Sequence, residues 1–238
     1  RELDTVGLLN VQLAVRDEEV YVLEANPRSS RTVPFVSKAT GVPIAKLAAN
    51  VMAGADLADL DVTEQVPGQT SIKEVVLPFD RLPGSDPRLG PEMKSTGEVM
   101  GTADTFGKAY QKAQMAVGKP IPLEGTAVVD LSESEFPAPD SAAGEELRAK
   151  YEEHFDLLDF EDDEEFVEAI QSGEVDLVIS RRRKPLEAAV EEEITYFSTL
   201  PSAKAALEAI EAQDEPLDVK SVQNRPRMQE YWGQPKQE

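Results

Sequence analysis

The side chains with the clearest chemical potential lie in one short stretch, residues 22–38, which reads VLEANPRSSRTVPFVSK. They are a carboxylate, an amide, two guanidinium groups and an ammonium, carried by Glu24, Asn26, Arg28, Arg31 and Lys38. Glu24 is the only acid between residues 24 and 53, although the whole chain has a formal net charge of −22. Because a carboxylate can bind Mg²⁺ while fixed cations bind phosphate oxygens, this local reversal of charge predicts a site for a metal-bound polyphosphate.

Two strands and a turn are predicted to position the first of these residues. Apolar and polar residues alternate over 8–15, which is the period of a half-buried strand, and 20–26 has the composition of a second strand. The polar run 16–19 between them predicts a turn. With a three-residue loop at 17–19, the expected opposed pairs are Arg16 with Val20, Gln12 with Glu24, and Asn10 with Asn26.

This register brings oxygen-bearing side chains to one face of the hairpin. Gln12, Glu24 and Asn26 lie together there, with Asn10 beside them, and hard cations such as Mg²⁺ and Mn²⁺ prefer such ligands. A shift of one residue in the pairing would send Gln12 and Glu24 to opposite faces. On hairpin geometry alone, Glu24 is equally well explained as a sheet-edge glutamate paired with Arg28.

The run from Glu24 to Gly41, EANPRSSRTVPFVSKATG, closely resembles the large subunit of carbamoyl-phosphate synthase. In that family, Glu-x-Asn-Pro-Arg after a strand is the metal-binding signature of ATP-grasp ligases. Three more stretches resemble the family in the same order: GLLNVQ at 7–12, SIKEVVLPF at 71–79 and GPEMKSTGEVMG at 90–101. The resemblance is strong over 6–118 and weak beyond. Gln12 at the first metal position indicates the synthetic half that phosphorylates carbamate.

The resemblance implies an ATP-dependent carbon–nitrogen ligase, the glutamine-hydrolysing carbamoyl-phosphate synthase of arginine and pyrimidine biosynthesis. It implies that Gln12, Glu24 and Asn26 hold two Mg²⁺ or Mn²⁺ ions, with ATP bound through the metal at Gln12 and Glu24. It also implies that Arg28 and Arg31 are catalytic, since guanidinium forks can hold carbamate or the transferring phosphoryl group.

The implied partners are a glutaminase small subunit and the upstream remainder of the large subunit, in a cytoplasmic hetero-oligomer. The upstream remainder would carry the nucleotide-gripping part, so the chain by itself is expected to be inactive. Two rivals stay open: another ATP-grasp carboxylate ligase, biotin-carboxylase-like or of the purine pathway, or a truncated, non-catalytic regulatory or assembly module. Lys38 and Lys46 are expected to be ordinary outward-facing lysines.

The expected fold class is α/β, divided into three segments. Residues 1–54 are expected to be the C-terminal portion of an α+β ATP-grasp domain, and 55–118 the remainder of the synthetic component. Gly and Pro mark a linker at 118–125. Strands and helices alternate beyond it, which predicts a small Rossmann-like parallel domain over 119–238. Its position is similar to that of the methylglyoxal-synthase-like regulatory domain of the family.

The predicted boundaries of the other elements follow from periodicity and from Gly and Pro punctuation. Helices are expected over 43–53, 105–117, 144–154, 161–172, 185–193 and 202–213. Strands are expected over 71–79, 126–132, 155–160, 175–180 and 217–223. Loops are expected over 55–69 and 80–91, with 95–101 closing the second of these and a polar tail at 224–238.

Further site residues are implied by the resemblance alone. Lys73, Met93 and Lys94 match positions that line a carbamate tunnel, and Glu74 matches a position of the ornithine activator site. In the last segment the Thr-x-Gly-Thr loop that cradles effector phosphate is missing, and the basic run 180–184 replaces Asn-Thr-Thr.

Ser180, Arg181 and Arg182 are the effector candidates of this run. Hydroxyl and cations between a strand end and a helix start can bind an anion. The alternative is a basic loop that balances the surrounding acids. We therefore expect an altered or lost response to uridylate-type allosteric effectors.

Composition excludes several classes of protein. The charge of −22 argues against nucleic acid as a partner, and no apolar run approaches the ~18 residues of a membrane span. The chain has no Cys and a single His, and that histidine, His154, lies among acids on a predicted helix. The acid excess favours a halophilic source over an ordinary acidic protein, because high salt screens self-repulsion.

Overall fold

The computed structural model describes residues 3–60, 62, 66–82, 84–90, 92–131, 141–212, 217, 219, 221, 227 and 228. The chain divides into two compact units, Arg1–Gln69 with Lys220–Glu238, and Thr70–Val219. The described residues form mixed α/β structure, as predicted. The division into functional segments at 54 and 118 stays a prediction.

The first unit contains a two-stranded hairpin followed by two helices. Its elements are β1 (Asn10–Arg16), β2 (Glu19–Asn26), α1 (Thr32–Thr40), α2 (Ile44–Met52) and β3 (Val66–Pro67). β3 pairs antiparallel with β10 (Arg227–Met228). The predicted helix at 43–53 is confirmed as α2, whereas α1 was not predicted. The expected loop at 55–69 contains β3 and a 3₁₀ turn, Leu57–Asp59.

The hairpin turn is shorter than predicted. Asp17 and Glu18 both have positive φ, at 50° and 66°, which is typical of a two-residue type I′ turn. Arg16 therefore pairs with Glu19, and the prediction that it lies opposite Val20 was wrong. The local reason is that both acidic residues adopt the left-handed region without a glycine.

A β-bulge restores the predicted register farther along the hairpin. The register shifts between Gln12 and Leu13, so that Leu13 pairs with Val22 and Leu23 is the extra residue on β2. The short turn and the bulge offset each other. Gln12 consequently pairs with Glu24, as predicted.

The first unit has little core of its own. Among its described residues, only Ala48 is buried. Six side chains of alternate hairpin positions are apolar and between 41% and 71% exposed: Leu9, Val11, Leu13, Val15, Val20 and Val22. A segment of this size needs buried apolar area to be stable. These six side chains do not provide it by packing against one another.

The second unit begins with another hairpin and a helix packed on it. β4 (Thr70–Val76) pairs antiparallel with β5 (Gly97–Ala103), and α3 (Phe106–Ala116) follows. The predicted strand at 71–79 thus ends early, and residues 95–101, expected to close a loop, lead into β5. α3 begins as predicted, because Thr105 Oγ1 accepts a hydrogen bond from the Lys108 N–H.

A four-stranded parallel sheet forms the rest of the described second unit, with strand order β7-β6-β8-β9. Its strands are β6 (Gly125–Val129), β7 (Phe155–Leu158), β8 (Leu177–Ile179) and β9 (Thr195–Phe197). Its helices are α4 (Ala142–Glu152), α5 (Asp163–Gln171), α6 (Arg183–Glu191) and α7 (Leu200–Glu211). The predicted Rossmann-like parallel arrangement is confirmed.

Some boundaries differ from the prediction. β9 was not predicted, and the strand expected at 126–132 already ends at Val129. The strand expected at 217–223 and the tail at 224–238 lie largely outside the described residues. None of the described helices is both long and apolar enough to cross a membrane.

Two apolar clusters flank the parallel sheet. One contains Tyr151 and Leu207 from α4 and α7, and the other contains Phe166 and Leu186 from α5 and α6. Tyr110 of α3 belongs to the first cluster. Residues on both sides of the predicted linker therefore share one core.

Gly101 of β5 supports this packing because it lets the strand approach α3 closely. A Cβ at this position would overlap the backbone of Ala109 and Ala113. We expect Gly101→Ala to lower the free energy of unfolding by about 2–3 kcal/mol, as overpacking does. Denaturant unfolding measures this. Gly90 has no atom within 4 Å of an added Cβ, so Gly90→Ala is the control and should cost less than about 0.5 kcal/mol. An equal loss of unfolding free energy in the two variants would contradict the close packing of β5 on α3 at Gly101.

Candidate functional site

The hairpin brings a carboxylate and three amides together at its open end. Gln12 lies directly opposite Glu24, and Asn10 directly opposite Asn26. Directly opposed residues share one face of a sheet. Asn26 Nδ2 donates a hydrogen bond of 2.9 Å to Glu24 Oε1. The structure therefore pairs the Glu24 carboxylate with a neighbour on its own strand rather than with Arg28.

These residues fit a hard divalent cation by their donor chemistry. A carboxylate and two amide carbonyls are oxygen ligands of the kind Mg²⁺ and Mn²⁺ take. Glu24 and Gln12 are exposed and Asn26 is half-buried, so an ion can reach the face. The Asn26 amide presents its nitrogen to the carboxylate, and it would turn its oxygen toward an ion bound there.

Cations follow the hairpin directly. The backbone N–H of Arg28 donates to the Asn26 carbonyl at 2.8 Å, which turns the chain after Pro27. The Arg28 guanidinium is exposed and donates to the Ser29 carbonyl at 3.1 Å. Arg31 is the N-cap residue of α1, whose first turn contains no acid. Helix N-termini favour anions, so this short segment combines guanidinium charge with a positive helix end.

Two lysines lie farther along the helices of the first unit. Lys38 is in the last turn of α1 and Lys46 in α2, and both are exposed. This agrees with the expectation of ordinary surface lysines.

Two of the three predicted tunnel residues, Lys73 and Lys94, have local partners of their own, and the third is exposed. Lys73 Nζ lies 3.5 Å from Glu98 Oε1 across the β4–β5 hairpin, and Met93 is 77% exposed. Lys94 Nζ donates to the carbonyls of Asp86 and Arg88, at 3.0 and 2.9 Å. Lys94 thus fastens the loop before β5. The tunnel role of these residues stays a prediction.

The same loop contains a strong ion pair. Arg88 Nη2 lies 2.7 Å from Asp86 Oδ2. Hydrogen bonds from the Arg88 side chain lower the pKa of Asp86 to about 2. The loop between β4 and β5 is therefore held by two cations, Arg88 and Lys94.

Glu74 lines a cavity of about 120 Å³ inside the second unit. Asp80, Tyr110, Lys119, Tyr196 and Ser198 also line it. Burial raises the pKa of Glu74 and lowers the pKa of Lys119. Lys119 Nζ lies 4.6 Å from the centre of the Tyr196 ring. The cavity is thus lined by the carboxylates of Glu74 and Asp80 and by the ammonium group of Lys119.

Sequence reasoning missed most of this cavity. Lys119 belongs to the predicted linker, and Tyr196 and Ser198 lie in or beside the unpredicted β9. These residues are far from Glu74 in sequence, so no local spacing marks them. The one local feature that could have indicated β9 is the aromatic Tyr196 in a short apolar run.

A pH dependence of stability follows from the half-buried Glu74. Its folded-state pKa lies above the ordinary value of 4.5 because burial disfavours the charged form. The folded state then binds more protons than the unfolded state, so this group's contribution to stability falls as pH rises through the folded pKa. We expect Glu74→Gln to raise the midpoint of thermal unfolding at pH 7 and to leave it unchanged at pH 4. A lower midpoint at pH 7 would show that Glu74 is stabilised by its neighbours.

The effector candidates near α6 make internal contacts. Ser180 is fully buried, and its Oγ donates to Asp130 Oδ2 at 2.8 Å. Arg182 Nε donates to Asp163 Oδ1 at 2.6 Å. Arg181 donates to the Ser198 carbonyl at 3.1 Å. These contacts favour the alternative in which the basic run balances nearby acids, and an effector role stays a prediction.

Comparison with known proteins places these features in a family. The family model described as "Carbamoyl-phosphate synthase L chain, ATP binding domain" matches residues 1–60. The chain is 59% identical, over 98% of its length, to the carbamoyl phosphate synthase large chain of Halobacterium salinarum, and covers 21% of that protein. It is 41% identical, over 91% of its length, to the large chain of Methanosarcina mazei, and covers 23% of it.

A third relative is shorter. The large chain from Methanosarcina barkeri is 42% identical over 91% of this chain, which covers 62% of that protein. The chain thus spans about a fifth of the length of the first two relatives. High identity along nearly the whole chain, together with the Gln12–Glu24 register, leads to one conclusion: the chain belongs to the carbamoyl phosphate synthase large-chain family.

Proposed function

We propose that this chain supplies the metal-binding hairpin and the acceptor-anion arginines of the site where ATP phosphorylates carbamate. The observation that carries the proposal is the register that sets Gln12 opposite Glu24, with Asn26 bonded to Glu24. The activity would be that of a glutamine-hydrolysing carbamoyl phosphate synthase, an ATP-dependent carbon–nitrogen ligase.

The roles of the residues follow from their chemistry. Gln12, Glu24 and Asn26 would hold two Mg²⁺ or Mn²⁺ ions, and such ions would supply positive charge against the phosphates of ATP. Gln12 and Glu24 would also help to position the nucleotide through the metal they hold. Arg28 and Arg31 orient the carbamate anion and balance the charge of the transferring phosphoryl group.

The exposed apolar residues of the first unit favour a partner that covers them. Only Ala48 is buried among the described residues of that unit, and the apolar side of the hairpin is exposed. We propose that the upstream remainder of the large chain covers these apolar residues and supplies the grip on the nucleotide. A glutaminase small subunit would supply ammonia, and Lys73, Met93 and Lys94 would line the path of carbamate. This chain by itself would then show no turnover.

The Glu74 cavity is proposed as the activator site of the same enzyme. A half-buried carboxylate suits an ammonium group, and ornithine carries two. The product, carbamoyl phosphate, would serve arginine and pyrimidine biosynthesis.

One experiment separates this proposal from its rivals. A complete large chain that includes this sequence is incubated with ATP, bicarbonate and ammonia, and the product is identified by phosphorus and carbon NMR. Carbamoyl phosphate is the expected product. Carboxylation of biotin instead would support another ATP-grasp ligase. ATP binding without product would support a regulatory or assembly module.

A further inference from the structure

The carboxyl ends of the central strands of the parallel sheet are the place where this fold is expected to bind ligands. After β6 the chain passes to β7 on one side and then to β8 on the other, so β6 and β8 form the topological switch point. Ligands of open α/β sheets bind in the crevice at that point. The residues directly after these two strands are Asp130 and Ser180.

A carboxylate of the chain itself occupies this point. The Asp130 side chain is 12% exposed, and Oδ2 accepts the Ser180 hydroxyl at 2.8 Å. The Ser180 hydroxyl in turn accepts the Arg182 backbone N–H at 3.0 Å. Arg182 is the N-cap residue of α6, which has no side-chain cap. The Ser180 hydroxyl thus links the Asp130 carboxylate to the N-terminus of α6 by two hydrogen bonds.

The nearby guanidinium is also engaged by the chain. Arg182 Nε lies 4.0 Å from Asp130 Oδ2 and 2.6 Å from Asp163 Oδ1. Its Nη1 donates to the Phe160 carbonyl at 2.8 Å. The guanidinium carbon lies 5.7 Å from the centre of the Phe166 ring. The Arg182 cation therefore faces two carboxylates in a largely buried setting, and a phosphate that approached Arg182 would be repelled by both of them.

We infer that Asp130 is a built-in anion that fills the ligand position of this sheet, so that the second unit excludes phosphate-bearing effectors there. The hydroxyl, the helix start and the arginine form the donor set of an anion site. The Asp130 carboxylate takes the place an incoming phosphate would take. Removal of its charge should therefore create a phosphate site instead of destroying one.

The test measures thermal unfolding of the chain with inorganic phosphate and, separately, with uridine monophosphate, at fixed ionic strength and pH. The wild-type midpoint should move by less than about 1 °C with 10 mM of either ligand. Asp130→Asn keeps the size and removes the charge. Its midpoint should rise by about 3 °C or more, with phosphate affinity at least about tenfold above wild type. A rise with the nucleotide alone would assign the gained site to the base and sugar, and would overturn the inference.

Asp163→Asn is the matched control, because it removes the other carboxylate on Arg182 without touching Ser180. It should gain less than about threefold in phosphate affinity. Circular dichroism checks folding, and Asp130→Ser is the second variant if Asp130→Asn does not fold. A wild-type chain that binds phosphate, or folded Asp130 variants that gain no affinity, would overturn the inference. A wild type that binds neither ligand supports it even without a folded variant.

Discussion

Glu24→Gln should lower carbamoyl phosphate formation by a complete large chain about 10²–10³-fold. The substitution preserves the shape of the side chain and its place opposite Gln12, but it removes the one carboxylate among the proposed metal ligands. Loss of a group that stabilises developing charge typically has an effect of this size. Steady-state rates with saturating ATP, bicarbonate and ammonia measure it. Mn²⁺ titration followed by electron paramagnetic resonance should show weaker binding, which gives a readout independent of turnover.

Glu19→Gln is the matched control for this experiment. Glu19 lies at the other end of β2, is exposed, and accepts a hydrogen bond from the Tyr21 hydroxyl at 2.7 Å. It carries the same charge on the same face of the hairpin, but at the turn end, opposite Arg16 and far along the strands from Gln12 and Glu24. Rates and Mn²⁺ affinity should stay within about twofold of wild type, as expected for a surface substitution. Equal losses in both variants would point to charge or folding, and the metal assignment of Glu24 would be abandoned.

The chain should be unstable at low salt. It carries 46 acidic against 24 basic residues, and self-repulsion in such a chain opposes compact structure. The Debye length falls from about 30 Å at 0.01 M salt to about 3 Å at 1 M. We expect a loss of about 5 kcal/mol between 2 M and 0.05 M KCl, which lowers the unfolding midpoint by about 10–20 °C. Calorimetry at a series of KCl concentrations measures this, and a constant midpoint would contradict the electrostatic explanation.

A charge-reduced variant separates screening from the general strengthening of burial by salt. Glu191 and Glu192 lie at the C-terminal end of α6 and are exposed. Negative charge is unfavourable there because of the helix dipole. The double substitution to Gln should raise the midpoint at 0.05 M KCl and have no effect at 2 M. A rise of equal size at both concentrations would argue against screening.

The ligand register was predictable from the sequence, although the route to it was not. Alternation of residue types identified both strands of the hairpin. The turn was harder, because Asp17 and Glu18 form a type I′ turn without the usual glycine or asparagine. The bulge at Leu23 has no sequence signature of its own. The turn is one residue shorter than predicted, and the bulge adds one residue to β2. The two shifts cancel, so the prediction of Gln12 opposite Glu24 was confirmed.

Other elements show where pattern reasoning ends. α1 was missed even though Gly41, with φ of 77°, is a typical C-terminal helix signal. β9 spans only Thr195–Phe197, which is too short for a period to show. The Glu74 cavity and the Asp130 contact join residues that lie more than forty positions apart in sequence, and only tertiary packing brings them together.

The glycines around α3 have a mechanical consequence for the second unit. Gly101 lets β5 pack closely on the backbone of α3, and Gly107 lets α3 pack closely on Glu208 and Ala212 at the end of α7. No flexible side chain lies between the main chains at either contact, and such close-packed joints have little compressibility. If α7 moved by a few tenths of an ångström, α3 and the β4–β5 hairpin that carries Glu74 would therefore have to move with it.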